Sequence, residues 1–252
     1  MSVKYEKNID IELRPCGFAA LQEQSRIIYS GNDCIVINKT AGEISTEILR
    51  EINAEAVHRL DVPVTGCVLF ALTKDALVFL NNAFAKTSQI KKTYWAIVEK
   101  PLFNLPERGE LLHHIETDSK TNKSFAYDVP NDLDAAPGKK SLKRVNRKLS
   151  FLNYRITGKG DNYLFLEIDL LSGRHHQIRA QLAAIGLHIK GDLKYGARRS
   201  EKNGGIRLHA RSLDFPSPAD KSEIISVTAD PPMMDNLWRD FMLLNGINPA
   251  NP

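Results

Sequence analysis

The sequence predicts a mixed α+β fold, and three observations carry that prediction. Apolar runs at Ile27–Tyr29 and Cys34–Ile37 flank the turn residues Ser30, Gly31, Asn32 and Asp33, the pattern of a β-hairpin. From Tyr163, the residues Leu164, Leu166, Ile168 and Leu170 fall on one face and Glu167 and Asp169 on the other, the period of two that a half-buried strand requires. Segments of helical spacing lie between such strands, and hairpins interrupted by helices point to α+β rather than to a regular βαβ array.

Taken in order, residues 1–26 show no clear element. The hairpin follows and leaves through Lys39-Thr40-Ala41-Gly42. The run "GCVLFAL" (66–72), bounded by Gly66 and Thr73, has the length of a buried strand. Thr73 then suits the N-cap of a helix over "KDALVFLNNAFAK", in which Ala76, Leu80, Ala83 and Phe84 share a face. "KTYWAIVEK" (92–100) is rich in β-branched and aromatic residues and reads as a strand. Residues 103–150 are rich in Pro, Asn, Asp and Lys and read as a loop-rich insertion. Within it "DVPNDLDAAPGKK" cannot form a regular element, and "KKSLKRVNRK" (139–148) holds six basic residues and no acid. After the strand at Tyr163 comes the turn "SGR". "HHQIRAQLAAIG" (175–186) then reads as a helix with Ile178, Leu182 and Ile185 on its stripe and Gly186 as its C-terminal cap. "LHIKGDLKYG" and "IRLHARSLDFPSP" supply further loop and strand. No internal repeat or domain boundary is visible.

The 252 residues are 42% hydrophobic and 25% charged, a balance that excludes disorder. The net charge of +4 is a weak pointer to polyanions. Cys16, Cys34 and Cys67 are odd in number and lack C-x-x-C spacing, which argues against a disulfide framework or a zinc ribbon and suits a reducing compartment. No run approaches the roughly 18 apolar residues of a membrane span, and the N-terminus has no signal-like core, so a cytoplasmic location is expected.

Two charged positions invite a chemical reading. Asp61 stands at the mouth of the apolar strand, followed by Pro63 and Gly66; it can be a base or nucleophile, or a turn aspartate bonding its own backbone. Arg174 lies in the turn before a helix and is a surface side chain unless it meets Asp61, whose carboxylate a guanidinium would hold ionised. His58, His175, His176 and His188 raise a metal site, but no familiar ligand spacing occurs. Tyr94 can stack on a base or fill the core. The run 139–148, with Lys139, Lys140, Lys143, Arg144, Arg147 and Lys148, can track phosphates or be a solvated loop.

Taken together, "IIYSGNDCIVINKTAG", "HRLDVPVTGCVLFA", "KKTYWAIV", "SGRHHQIRAQLAAIGLHIKGDLKYG" and "LHARSLDF" resemble the RluA-type pseudouridine synthases over most of residues 27–218. The resemblance implies a largely antiparallel sheet with flanking helices around a central active-site cleft. It implies one catalytic domain over 27–252 behind an N-terminal extension too short for the S4-like domain of some relatives. Asp61 would be the catalytic aspartate, Arg174 its ion partner and Tyr94 the tyrosine packing on the base. Arg59 would enter the RNA helix as the uridine leaves it, with His58 and Ile178 beside the substrate. Structured ribosomal or transfer RNA is the implied partner, no cofactor, metal or membrane is implied, and a monomer is expected. The sequence departs from the family in Val64-Thr65, in His175 where threonine is usual, and in Thr40. Two other readings are a non-catalytic RNA-binding or RNA-folding module and a metal-dependent hydrolase built on His58, Asp61, His175 and His176.

Overall fold

The computed structural model describes residues 26–50, 53–86, 89–129 and 147–248. Lys139, Lys140, Lys143, Arg144 and Cys16 lie outside them. The described chain forms an eleven-stranded sheet: β1 (Ile27–Ser30), β2 (Cys34–Lys39), β3 (Glu55–Ala56), β4 (Thr65–Ala71), β5 (Lys91–Glu99), β6 (Arg108–Asp118), β7 (Lys123–Asp128), β8 (Lys148–Lys159), β9 (Tyr163–Leu170), β10 (Leu208–Pro216) and β11 (Ile224–Thr228). The spatial order is β1-β2-β4-β10-β5-β9-β8-β6-β7, with β3 paired to β4 and β11 to β10. Three helices flank it: α1 (Lys74–Ala85), α2 (Gln177–Ala184) and α3 (Asn236–Leu244).

Alternation divides the core. Ile35 and Ile37, Val68 and Phe70, and Tyr94, Ala96 and Val98 line one face with Ile178 and Leu182 of α2. Their neighbours Val36, Cys67 and Leu69 face α1, and Trp95 and Ile97 face α3. Each central strand is therefore buried on both sides, which is why its run is almost continuously apolar. Thr73 caps α1 as its sequence suggests, accepting the Ala76 N–H at 3.2 Å. Asp235 does the same for α3 by accepting the Trp238 N–H at 3.1 Å.

The pairings are antiparallel except between β4 and β10. That parallel join is close. Gly66 has φ 113°, and a Cβ there would meet the Ala210 carbonyl oxygen at 2.2 Å, so only glycine fits. Thr65 beside it bonds His209 Nδ1 at 2.8 Å. His209 Nε2 faces the Ala229 carbonyl at 2.9 Å, so Nε2 carries the hydrogen and Nδ1 accepts from the threonine. The hydroxyl at position 65 thus locks the strand behind the Asp61 loop.

The span 103–150 is not one loop. It contains β6, β7 and the start of β8, which extend the sheet by a three-stranded edge. Among its buried residues are Leu111, His113 and Ile115, and a histidine in the inward row hides the alternation from a hydrophobic count.

Candidate active site

The loop between β3 and β4 carries Asp61, and its backbone is tied from several sides. Lys39, at the end of β2 and wholly buried, sends its Nζ to the carbonyls of Thr40 (3.0 Å), Asp61 (3.3 Å), Val62 (3.0 Å) and Val64 (2.7 Å). Burial pushes its pKa down to about 8, against the pull of Glu43 and Asp61. Ser45 Oγ accepts the Leu60 N–H at 3.1 Å, and the Val64 N–H closes a turn on the Asp61 carbonyl at 3.0 Å. These bonds fix where the Asp61 side chain begins. Sequence reasoning left Lys39 out because a lysine next to a turn reads as solvated.

The side chain ends beside α2. Arg179 Nη1 donates to Asp61 Oδ2 at 3.0 Å, and Arg179 is 5% exposed against 22% for Asp61. The same guanidinium grips Asp192 with Nε to Oδ2 at 2.7 Å and Nη2 to Oδ1 at 2.8 Å. Burial alone would lower the arginine pKa; the two carboxylates, Asp192 foremost, outweigh it and raise it. Arg179 therefore serves as a permanent cation with one face fixed by Asp192 and one N–H free for Asp61.

This corrects the expectation for Arg174. Its side chain is exposed, and its backbone N–H donates to Gln177 Oε1 at 3.0 Å. Gln177 also accepts from Ser172 and donates to the Phe151 carbonyl, so the start of the turn is pinned to β8, and among the described residues no hydrogen bond or ion pair joins Arg174 to Asp61. The block "SGRHHQIR" holds two arginines, and the one inside the helix reaches Asp61. A signal existed: Arg179 follows Ile178 on the apolar side of the helix, where a guanidinium needs a buried acid, and "KGD" supplies Asp192.

His176 completes the surround. It takes a left-handed conformation (φ 51°) at the N-cap of α2. That places Nε2 3.7 Å from Asp61 Oδ2 and Nδ1 3.0 Å from Tyr195 Oη. Burial first, then the Arg179 guanidinium and, more weakly, His175 and Lys194, push its pKa down to about 3, so the ring is neutral. Tyr195 Oη accepts the Ser124 N–H at 2.9 Å, and Arg179 lies 4.9 Å over its ring. His175 stacks on His176 with centroids 3.8 Å apart and bonds Ser124 Oγ at 3.0 Å. Both partners of Asp61 address Oδ2. Among the described residues Oδ1 has no hydrogen bond or ion pair.

The other expected residues divide. Tyr94 on β5 lies in the core beside this site, and burial, with Asp61 second, raises its pKa. Arg59 is exposed on the same loop. His58 is committed elsewhere. Its Nε2 accepts the Leu69 N–H at 3.2 Å, its ring stacks on Phe84 with centroids 5.0 Å apart, and burial drives its pKa to about 3. It anchors the loop to β4 and α1, which also removes it from the ligand set of the hydrolase reading. Ile178 is buried in the same core cluster as Tyr94. Arg147 pairs with Glu116 at 3.1 Å and Lys148 is exposed. Among the described residues no three His, Cys, Asp or Glu side chains converge to hold a metal ion. None of the described helices is long and apolar enough to cross a membrane.

Comparison with known proteins then places the chain. A family model described as RNA pseudouridylate synthase matches residues 31–184. The ribosomal large subunit pseudouridine synthase C of Rickettsia conorii is 33% identical over 187 residues, covering 68% of this chain and 56% of that protein. The tRNA pseudouridine synthase C of Haemophilus ducreyi is 29% identical over 245 residues, covering 87% and 94%. A solved structure of human RNA pseudouridylate synthase domain containing 4 shares the fold, with a TM-score of 0.67 at 19% identity and coverage of 89% and 94%.

Proposed function

The chain belongs to the RNA pseudouridylate synthase family, and we propose that it isomerises uridine to pseudouridine in ribosomal or transfer RNA with Asp61 as its catalytic residue. One observation carries the assignment. Asp61 has Oδ2 held by Arg179 and faced by His176, while Oδ1 is left open.

The reaction breaks the bond from N1 to C1′, turns the uracil, joins C5 to C1′, and moves the C5 proton off as N1 gains one. A carboxylate that must act at the sugar has to be ionised and aimed. Arg179 does both: its charge lies within hydrogen-bond reach, and its own position is set by Asp192. Oδ1 then acts on the ribose, either adding to C1′ or taking the C2′ proton. Tyr94 packs on the base. Extruding a paired uridine costs a few kcal/mol of stacking, which Arg59, exposed on the Asp61 loop, offsets by entering the helix. The names of the relatives support ribosomal and transfer RNA as the substrate classes. The enzyme is proposed to work as a monomer in the cytoplasm. The organised Asp61–Arg179–Asp192 set favours catalysis over the non-catalytic RNA module, which has no use for it.

The test is tritium release from RNA carrying 5-labelled uridine. Wild-type protein should release tritium and Asp61→Asn should release none. Equal release from both removes Asp61 from the mechanism.

A further inference from the structure

Strand β7 has two faces with different surroundings. Ser124 points inward, with its N–H on Tyr195 Oη and its hydroxyl on His175 Nδ1, and so belongs to the catalytic network. Phe125 and Tyr127 are 40% and 37% exposed. The sheet register sets His114 of β6 between Tyr127 of β7 and Leu149 of β8, and Leu112 and Leu149 are also exposed. Helix α2 packs on β6 and β7 from the other face, and Phe125 and Tyr127 stand on the face it leaves exposed. Cations accompany the rings: Lys123 Nζ lies 5.5 Å from the centre of Phe125, and the Arg147 guanidinium 4.0 Å from that of Tyr127.

We propose that this face is a stacking platform for single-stranded RNA that flanks the target uridine; the proposal rests on the RNA substrate argued above. Two rings on alternate positions of one strand stand about 6.6 Å apart, and every base has a face that can stack on them whatever its sequence. The charge agrees. Residues 123–148 hold seven lysines and arginines against three aspartates, and among the described ones Lys123 and Arg147 stand beside the two rings. A protein partner is the poorer fit for Lys123, because the centres of protein interfaces are depleted of lysine, whereas here its amine sits against the Phe125 ring. Position also agrees. RNA lying on Phe125 and Tyr127 is one strand's thickness from Ser124, and from there His175 and His176 lead to Asp61.

The experiment uses the full chain and a fluorescein-labelled oligouridylate of about 12 nucleotides, read by anisotropy. Phe125→Ala with Tyr127→Ala should weaken binding by on the order of tenfold per ring, and Phe125→Leu with Tyr127→Leu, which keeps apolar cover, should also weaken it. In tritium release from labelled total RNA, both variants should raise KM and hold kcat within about twofold. Unchanged oligonucleotide affinity in both variants overturns the platform. If a change in mass by light scattering accompanies that result, the face belongs to a second copy of the chain. Anisotropy alone judges the platform, so a wild-type protein that binds the oligonucleotide but releases no tritium would count against the isomerase reading instead.

Discussion

Exchanging the two arginines of one motif separates their roles. In Arg179→Met the guanidinium is lost from a site where Arg179 is 5% exposed and the Asp192 side chain 1%. Asp192 is left as a buried charge without a partner, and breaking such a pair costs about 3–5 kcal/mol. For a domain of this size that is a fall in melting temperature of roughly 6–20 °C. The catalytic loss is separate. Charges about 4 Å apart at an effective dielectric near 20 attract by about 4 kcal/mol. Losing one preorganised charge at a reacting group typically lowers kcat by about 100- to 1,000-fold. Arg179→Lys restores a cation without the two-sided grip on Asp192 and Asp61; it should fold, and kcat should fall by on the order of tenfold. Arg174→Ala should leave kcat and melting temperature within the error of the wild type, since its side chain is exposed and bonds neither carboxylate. Tritium-release kinetics and thermal unfolding read the two effects. A kcat collapse in Arg174→Ala beside near-normal turnover in Arg179→Lys and Arg179→Met would refute the reasoning.

Two further outcomes follow from the same geometry. Asparagine tolerates the left-handed backbone of position 176, so His176→Asn should lower kcat by on the order of tenfold with little loss of stability at neutral pH. Because the folded pKa of His176 is near 3 and its ordinary value is 6.5, the unfolded chain binds the extra proton between them. Stability is then lost as pH falls from 6.5 toward 3, and urea titrations should show His176→Asn with a flatter acid limb; an identical limb counts against a neutral buried ring. Lys39 works in the opposite range. Its folded pKa of about 8 lies below the ordinary 10.5, so the unfolded chain holds more protons between those values and stability rises with pH there. Relative to Lys39→Met, the wild type should gain about 1–2 kcal/mol between about pH 7.5 and 9.5 in denaturant unfolding, and a difference independent of pH would show that burial does not depress this amine.

Much of the local structure is legible because it depends on neighbours in the chain. The hairpin of β1 and β2, the N-cap at Thr73 and the alternation of β9 follow from turn chemistry and period. Other elements escaped for stated reasons. In β6, His113 takes an inward place that an apolar residue would have marked. Helix α3 buries Trp238, Phe241 and Met242 in a chain segment whose helical spacing drew no expectation. The helix read as starting near His175 begins at Gln177, because His176 turns left-handed to reach the site.

The loop that carries Asp61 and the strand that backs it are written in consecutive residues, so the sequence alone determined them. Which guanidinium answers that acid was decided by the fold. Arg174 and Arg179 share one short block, and only the packing of α2 against Asp192 and Tyr195 brings one inside and leaves the other in solvent. Lys39 shows the same division: its charge is plain in the chain, but its work on four carbonyls exists only once β2 and the Asp61 loop have met. Pair interactions fall off steeply with distance, and distance between remote residues is a property of the folded state alone.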